Sequence, residues 1–183
     1  MPIASLFGHY LWPLPPPRSL PPEGTITSLE NPLYNFSVDY PIKWSGDIYE
    51  DAGFKGAKDL KLRIYKNSLF GQSMFRIAVY YQPATSPSLE DVEEWGAFKF
   101  ASSNHSLREH GEEEYKEIDL SEDEINGFRI LRRRYGNNEV TREDVYIARR
   151  NDMVIIRYQN FTDDFENMYD EANGVIESFQ PLE

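Results

Sequence analysis

The chain has 183 residues, of which 40% are hydrophobic and 14% aromatic, and this is enough to build one packed domain. Its 31 acidic residues against 19 basic ones give a formal charge of -12, which argues against nucleic acid as a partner because phosphates would be repelled. The absence of cysteine excludes disulfides, thiolate catalysis and cysteine-ligated zinc. No apolar run reaches the roughly 18 residues that a membrane-spanning helix needs, so no integral membrane segment is expected and the protein is predicted to be soluble.

Residues 1–32 are predicted to form a Pro-rich N-terminal arm or linker. The stretch from Pro13 to Pro22 is dominated by proline, which stiffens the backbone into polyproline II and removes amide donors. The alternative is that this arm binds an aromatic groove of a partner protein. The start of the chain lacks the basic region of a signal peptide, but a removed leader would leave no trace. The compartment, cytoplasmic or extracytoplasmic, therefore stays open.

Residues 33–183 are predicted to be a single domain that begins with strands. Apolar side chains alternate from Tyr34 to Tyr40, which is typical of a half-buried strand. The segments 60–65 and 74–82 have the same character, and Pro83 and Pro87 end the second of them. Three strands are thus expected before the first helix.

A helix is predicted from Ser88 to about Ser103. Ser88 and Asp91 have the spacing of a capping box. An apolar stripe with approximately helical spacing follows and is expected to face the core; it consists of Leu89, Val92, Trp95, Ala97, Phe98 and Phe100. The polar residues 104–114 are predicted to form a loop.

Four further strands are predicted at 115–120, 127–134, 140–149 and 153–160, separated by turn residues. A register that brings apolar side chains together and opposes Arg to Glu is expected between the second and third of them. It pairs Phe128 with Ile147, Ile130 with Val145, and Arg132 with Glu143. A last helix is predicted from an N-cap at Thr162 to Phe179.

This order of elements resembles the PsbP-like superfamily, which includes the extrinsic photosystem II protein, its bacterial relatives and the Mog-type Ran-binding protein. The resemblance rests on the segments 34–44, 88–95, 127–158 and 165–179, including Pro41-Ile42-Lys43-Trp44. It implies an α+β fold, in which an antiparallel sheet of about six strands is flanked by helices on both faces as an α/β/α sandwich. It also implies a non-enzymatic role in docking, assembly or accessory binding. No functional residue is transferred, because the matching positions are core positions.

A metal site is one hypothesis for the polar segment. Its candidate ligands are His105, Glu109, His110 and Glu112, since imidazole and carboxylate groups bind divalent cations. The alternative is a solvated polar loop, because the two histidines lack the i, i+4 spacing of a helical ligand pair.

Glu122, Asp123 and Glu124 are candidates for binding a basic partner or a cation. Their spacing is not that of an EF-hand, and a solvated run of charges is the alternative.

Arginines gather on the predicted meander, where they would form either cross-strand ion pairs or an anion-binding stripe. These residues are Arg132, Arg133, Arg134, Arg142, Arg149, Arg150 and Arg157. Acids in the same strands favour cross-strand pairing. Aromatic residues pose a similar choice, because Trp44, Trp95, Phe98 and Phe100 would line either a ligand groove or the core.

The sequence contains no nucleophile elbow and no phosphate loop, so neither a catalytic residue nor a cofactor is predicted. The expected function is that of a non-catalytic binding or accessory module that docks on a protein partner. The alternatives are a hydrolase that uses Asp or Glu in a cleft and an extracytoplasmic protein that binds divalent cations.

Overall fold

The computed structural model describes residues 26–49, 58–66 and 74–182. The predicted Pro-rich stretch lies outside the described residues. Nine strands and three α-helices follow one another in this part of the chain, with a 3₁₀ turn at Glu166–Met168 between α2 and α3. They are β1 (Ile26–Asn31), β2 (Phe36–Pro41), β3 (Trp44–Ile48), β4 (Leu60–Lys66), β5 (Arg76–Pro83), α1 (Leu89–Glu109), β6 (Lys116–Ile125), β7 (Phe128–Gly136), β8 (Val140–Arg149), β9 (Asp152–Phe161), α2 (Thr162–Phe165) and α3 (Tyr169–Glu177).

The strands form two antiparallel sheets. Strands β1 and β2 make a two-stranded sheet, and the other strands make a seven-stranded sheet in the order β3-β4-β5-β9-β8-β7-β6. Every strand pair is antiparallel. The predicted antiparallel α+β architecture is confirmed, and the larger sheet has one strand more than the expected six.

Strand β1 lies in the segment that the sequence analysis assigned to the arm. It pairs with β2 along its whole length, from Ile26 opposite Pro41 to Asn31 opposite Phe36. Its sequence is largely polar, and Ile26 is 71% exposed. Because the backbone hydrogen bonds to β2 carry the pairing, hydrophobic alternation gave little sign of this strand.

The register of the β7–β8 hairpin differs from the prediction by two residues. Ile130 lies opposite Ile147 and Arg134 lies opposite Glu143. The Oδ1 atom of Asn137 accepts the backbone N–H groups of Glu139 and Val140, at 3.0 and 2.9 Å. This places the turn one residue later than expected. A shift of two residues keeps every side chain on its predicted face, because the pleat has a period of two.

Strand β6 is longer than predicted and forms an edge of the sheet. It extends to Ile125, and all its residues before Ile125 are exposed. The turn to β7 is Asn126-Gly127, where both residues have positive φ angles of 49° and 80°. An Asn-Gly pair is a strong signal for such a tight hairpin turn. The prediction stopped too early because the segment is acidic.

Helix α1 also continues beyond its predicted end and absorbs part of the expected loop. Ser88 is its N-cap, and the capping box with Asp91 is confirmed. The Asn104 side chain is buried and exchanges two hydrogen bonds with the backbone of Tyr115, at 3.0 and 2.8 Å. This polar anchor fixes the last turns of α1 against the start of β6, so the helix does not end at Ser103.

The C-terminal helix is not continuous. A 3₁₀ turn at Glu166–Met168 separates α2 from α3, and Phe161 rather than Thr162 is the N-cap. The hydroxyl group of Thr162 donates instead to the carbonyl oxygen of Asn137 at 2.9 Å. The predicted N-cap was wrong because its side chain is used to tie the helix start to the β7–β8 turn.

Neighbouring residues of β8 and β9 belong to different hydrophobic clusters. Val145 and Ile156 pack in a large cluster with Val175 and Ile176 of α3. Tyr146 and Ile155 pack in a smaller cluster with Val92 of α1. Because successive side chains of a strand point to opposite faces, the two helical regions contact different sets of strand residues. In the described residues, no helix is long and apolar enough to span a membrane.

Candidate functional site

A shallow depression of about 310 Å³ lies between the first half of α1 and the place where β5 ends and β9 begins. We call it the α1 groove. Its lining residues are Gln82, Asp91, Glu94, Trp95, Phe98 and Met153. The side chain of Phe98 is 72% exposed, although a phenyl ring of this size is usually buried. The groove therefore offers an aromatic side chain to solvent on a regular helix.

The start of α1 is held by hydrogen bonds rather than by packing alone. The Ser88 hydroxyl accepts the Asp91 backbone N–H at 3.2 Å, and the Asp91 carboxylate accepts the Ser88 N–H at 2.6 Å and hydroxyl at 2.7 Å. These bonds from the Ser88 hydroxyl and backbone lower the pKa of Asp91. Asp91 is thus a fixed negative charge at the rim of the groove.

Close packing beneath α1 keeps the groove rigid. Val92 is fully buried, and a Cβ atom added to Gly96 would lie only 2.5 Å from ring atoms of Tyr146. Glycine at this position lets the helix approach the sheet closely. The side of α1 that carries Phe98 points away from this contact, so a partner at Phe98 would meet a preformed surface.

The rim of the groove is acidic. Asp91 and Glu94 line it, and Glu90 lies in the same first turn of the helix. All three residues are exposed. Lys99 is the nearest base along the helix, but it forms an ion pair with Asp59 and lies 4.2 Å from the Tyr80 ring centroid. An apolar centre with an acidic rim suits a basic segment that carries an apolar side chain.

The interpretation of Phe98 as a core residue was wrong. The buried side of α1 follows Val92, Gly96 and Asn104, at spacings close to the helical repeat. Phe98 lies two residues beyond Gly96, which is about 200° around the helix. Spacing measured from Val92 alone would have placed Phe98 on the outer side. Trp44, in contrast, is 2% exposed and belongs to the core.

The predicted metal ligands are spread around the exposed end of α1. The His105 and Glu109 side chains form an i, i+4 pair at 3.5 Å, and the His110 Nδ1 atom contacts the Ser106 carbonyl oxygen at 2.7 Å. Glu112 follows in the short connection to β6. Across the described residues, no group of three or more histidine and carboxylate side chains is arranged to hold a metal ion. A metal site here stays a prediction from the sequence.

The predicted partner-binding acids lie on the edge strand β6, where neighbouring arginines engage two of them. Glu122 contacts the Nη2 atom of Arg129 at 2.6 Å, and Asp123 contacts the Nε atom of Arg132 at 3.0 Å. Glu124 is exposed, and its backbone N–H donates to Asp123. That bond and the bonds from Arg132 lower the pKa of Asp123. These acids are therefore partly neutralised within the sheet.

Most arginines of the predicted stripe form ion pairs, as the sequence analysis favoured. The Arg157 guanidinium makes two bonds to the fully buried Asp144, at 2.6 and 2.7 Å, and Tyr135 donates to the same carboxylate at 3.1 Å. Arg132, Arg133, Arg134 and Arg149 also contact carboxylates. The predicted pair between Arg132 and Glu143 exists at 3.1 Å, but it is diagonal rather than directly opposite.

Burial raises the pKa of several tyrosines, and the most deeply buried ones, Tyr135, Tyr146 and Tyr158, belong to the packed core. Tyr135 donates to Asp144, and Tyr158 donates to the carbonyl oxygen of Phe165 at 3.0 Å. The pKa of Tyr135 and that of Tyr146 are raised mainly by burial, and burial raises the pKa of Tyr158 to about 12. All three groups stay neutral at physiological pH, and Tyr135 and Tyr158 serve as structural hydrogen-bond donors.

Comparisons with known proteins identify the fold and no more. No family model matches the sequence, and no curated protein matches it. The solution structure of cyanobacterial PsbP from Synechocystis sp. PCC 6803 matches with a TM-score of 0.65 and 14% identity, over 86% of this chain and 92% of that one. A crystal structure from Bacteroides thetaiotaomicron matches with a TM-score of 0.53 and 13% identity, over 85% of this chain and 48% of that one. The protein therefore has a PsbP-like fold, as the order of its sequence elements indicated.

Proposed function

We propose that the protein is a non-catalytic accessory module that binds a basic segment of a protein partner in the α1 groove. The observation that carries the proposal is the Phe98 side chain, 72% exposed and next to Trp95 on a rigid helix. Aromatic side chains at the centre of an apolar patch often dominate the binding energy of a protein interface. The acidic rim of Asp91 and Glu94 would attract a basic partner and speed its association.

We also propose that the helices flank the sheet on both faces, as in the α/β/α sandwich that the PsbP-like resemblance implies. Its support is the division of the core, in which Val92 of α1 packs with Tyr146 while Val175 of α3 packs with the adjacent Val145. In such a sandwich, α1 is an outer layer with its far side open to solvent. The groove then lies on an accessible surface of the domain.

A non-enzymatic role is supported by the surroundings of the buried carboxylates. Asp144 is engaged by Arg157 and Tyr135, and Glu143 by Arg132, Arg134 and Tyr169. The oxygens of carboxylates held this way are occupied by structural hydrogen bonds, whereas a general acid needs access to substrate. The PsbP-like resemblance, which implies accessory proteins, points in the same direction.

Affinity purification from the native source tests the proposal. The bait is the full chain, either unchanged or carrying Phe98→Ser, and recovered proteins are quantified by mass spectrometry. The matched control is Ile118→Ser, because Ile118 is 60% exposed and lies on the edge strand β6. Both substitutions are at exposed positions, so each should change the free energy of unfolding by no more than about 0.5 kcal/mol.

The expected result is a partner recovered with the unchanged chain and with Ile118→Ser but lost with Phe98→Ser. Its recovery should also fall as salt is raised, because the acidic rim is exposed to solvent. Equal recovery with all three baits would contradict the groove as the binding surface. Failure to recover any reproducible protein would contradict the docking role itself.

A further inference from the structure

Three arginines on the α1 side of the sheet form a cluster in which, among the described residues, one ion pair is present. Arg76 of β5 and Arg142 of β8 both lie directly opposite Gln159 of the intervening strand β9. Directly paired residues share a face, and adjacent strands are about 4.8 Å apart, so both guanidinium groups project from one side within reach of a common ligand. Arg63 of β4 lies on the same face, two residues from Tyr65, which is opposite Arg76.

Within the described residues, this cluster holds three cations and one partner carboxylate. Within residues 26–49, 58–66 and 74–182, Arg76 and Arg142 take part in no ion pair, and the one carboxylate paired with Arg63 is that of Asp47, at 3.2 Å. The Nε atoms of Arg63 and Arg142 are buried without a hydrogen-bond partner. Leaving a buried donor of a charged group unpaired is costly, and in native proteins it often marks a functional site.

The electrostatic effect of the cluster is visible at Arg76. Its pKa is lowered by burial first, and then by the positive charges of Arg63 and Arg142. Like charges held this close destabilise the fold unless something compensates them. The whole chain has a formal charge of -12, so a shortage of acidic residues does not explain why Arg76 and Arg142 have no ion-pair partner among the described residues.

The surroundings of the cluster suit a bound anion. The Arg63 guanidinium lies 5.3 Å from the ring centroid of Tyr65, and that of Arg142 lies 4.5 Å from the ring centroid of Tyr115. Stacking on an aromatic ring uses the flat face of a guanidinium and fixes its orientation. The N–H donors at its edge can then bind other groups. The side chain of Arg63 is 20% exposed, and Arg76 and Arg142 are partly exposed as well, so solvent reaches the cluster.

We propose that Arg63, Arg76 and Arg142 form a binding site for a phosphate-bearing small molecule. The fork of N–H donors on a guanidinium matches the oxygens of a phosphate group, and three such groups on strands β4, β5 and β8 would surround it. The site is separate from the α1 groove and does not depend on the docking function. It realises, at Arg142, the anion-binding alternative of the arginine stripe.

Titration of the full chain with inorganic phosphate tests the site. Thermal unfolding is followed in phosphate and in chloride at equal ionic strength, and binding is measured by isothermal titration calorimetry. A ligand that binds only the folded state raises the midpoint of unfolding. Pyrophosphate and citrate serve as further probes, and pyrophosphate is expected to bind more tightly than citrate.

The informative variants are Arg76→Gln and Arg142→Gln. Each should weaken phosphate binding about tenfold or more, because each removes a charge-assisted contact. Each should also leave the phosphate-free protein at least as stable, since an uncompensated like charge is removed. The control is Arg129→Gln, since Arg129 is 72% exposed and pairs with Glu122, and its phosphate affinity should be unchanged.

Two results would overturn the proposal. The first is the absence of both heat and a shift of the unfolding midpoint with phosphate and pyrophosphate. The second is equal phosphate affinity in Arg76→Gln, Arg142→Gln and Arg129→Gln, which would mean general screening of surface charge. If Arg76→Gln fails to fold, Arg142→Lys keeps the charge but loses the fork of donors, and weaker phosphate binding by that variant would still support the site.

Discussion

Adjacent residues on the central strands meet opposite kinds of surroundings. Val145 and Ile156 lie directly opposite one another and pack among apolar side chains of the large core cluster. One residue away, Asp144 and Arg157 also lie opposite one another and are buried as an ion pair on the other face. Apolar contacts tolerate small shifts, whereas a bidentate ion pair requires one geometry. The charged face therefore constrains how the strands align more strictly than the apolar face does.

The largest effect that would test this comparison comes from Asp144→Ala. It leaves Arg157 buried without its partner and removes the acceptor of Tyr135, so the free energy of unfolding should fall by about 3–5 kcal/mol. Urea denaturation measures the change. On the apolar face, Ile156→Val should cost only about 0.5–1.5 kcal/mol.

A double variant distinguishes the cost of leaving Arg157 unpaired from the cost of losing the ion pair as a whole. Replacing both residues, by Asp144→Leu and Arg157→Met, should lower the free energy of unfolding by less than Asp144→Ala alone does, because no charge is left unpaired. If Asp144→Ala costs no more than Ile156→Val, the charged face does not constrain the fold as described.

Substitution of Gly96 tests how tightly α1 covers the charged face. The added methyl group of Gly96→Ala would lie 2.5 Å from the Tyr146 ring, so a loss of about 1–3 kcal/mol is expected from overpacking. Thermal unfolding measures it. The matched control is Gly174→Ala in α3, where nothing lies within 4 Å, and a gain of up to about 1 kcal/mol is expected from helix propensity. Equal effects at the two glycines would mean that α1 is free to move outward.

The smallest effect concerns Tyr158, which lies in the apolar cluster. Its pKa is raised to about 12 by burial, against about 10 in an unfolded chain. The neutral form is favoured in the folded state. The contribution of Tyr158 to the free energy of unfolding is therefore fully present below pH 10 and is lost as the pH rises toward 12. Tyr158→Phe should cost about 0.5–1.5 kcal/mol at neutral pH, through the lost bond to the Phe165 carbonyl oxygen.

In Tyr158→Phe, the free energy of unfolding should fall less steeply as the pH rises above 10. Urea denaturation between pH 8 and pH 11.5 gives this slope for both proteins. Tyr135 and Tyr146 have raised pKa values too, so a decline should persist in Tyr158→Phe. An unchanged slope would show that Tyr158 does not stay neutral in the folded protein.

Local sequence signals predicted the elements well where a physical period or a cap was present. The strands β7, β8 and β9 and the capping box at Ser88 follow directly from alternation and from the spacing to Asp91. Strand β1 was missed because its pairing depends on backbone bonds to β2. The last part of β6 was missed because an exposed edge strand has no apolar alternation to reveal it.

The candidate sites were harder to predict, since they depend on which residues meet across the sheet. The sequence marked the acids at 122–124 as a partner surface, yet Arg129 and Arg132 engage Glu122 and Asp123. Phe98 was expected in the core, although spacing measured from Val92 would have placed it on the outer side, and the packing of Gly96 on Tyr146 shows which side of α1 faces the sheet. The ion pairs between β6 and β7 leave no signal within one segment of the chain, whereas the outer side of α1 does.

The sequence by itself determined the antiparallel α+β class, the sidedness of the central strands and the start of α1, because these depend on periodicity and local hydrogen bonds. Only the tertiary structure decided the register of β7 against β8, which differs from the predicted one by two residues, through the side chain of Asn137. It also decided which arginines contact carboxylates, as Arg157 does, and which, like Arg76 and Arg142, contact none among the described residues. The reason is that alternation repeats every two residues, so it selects a face but not a partner.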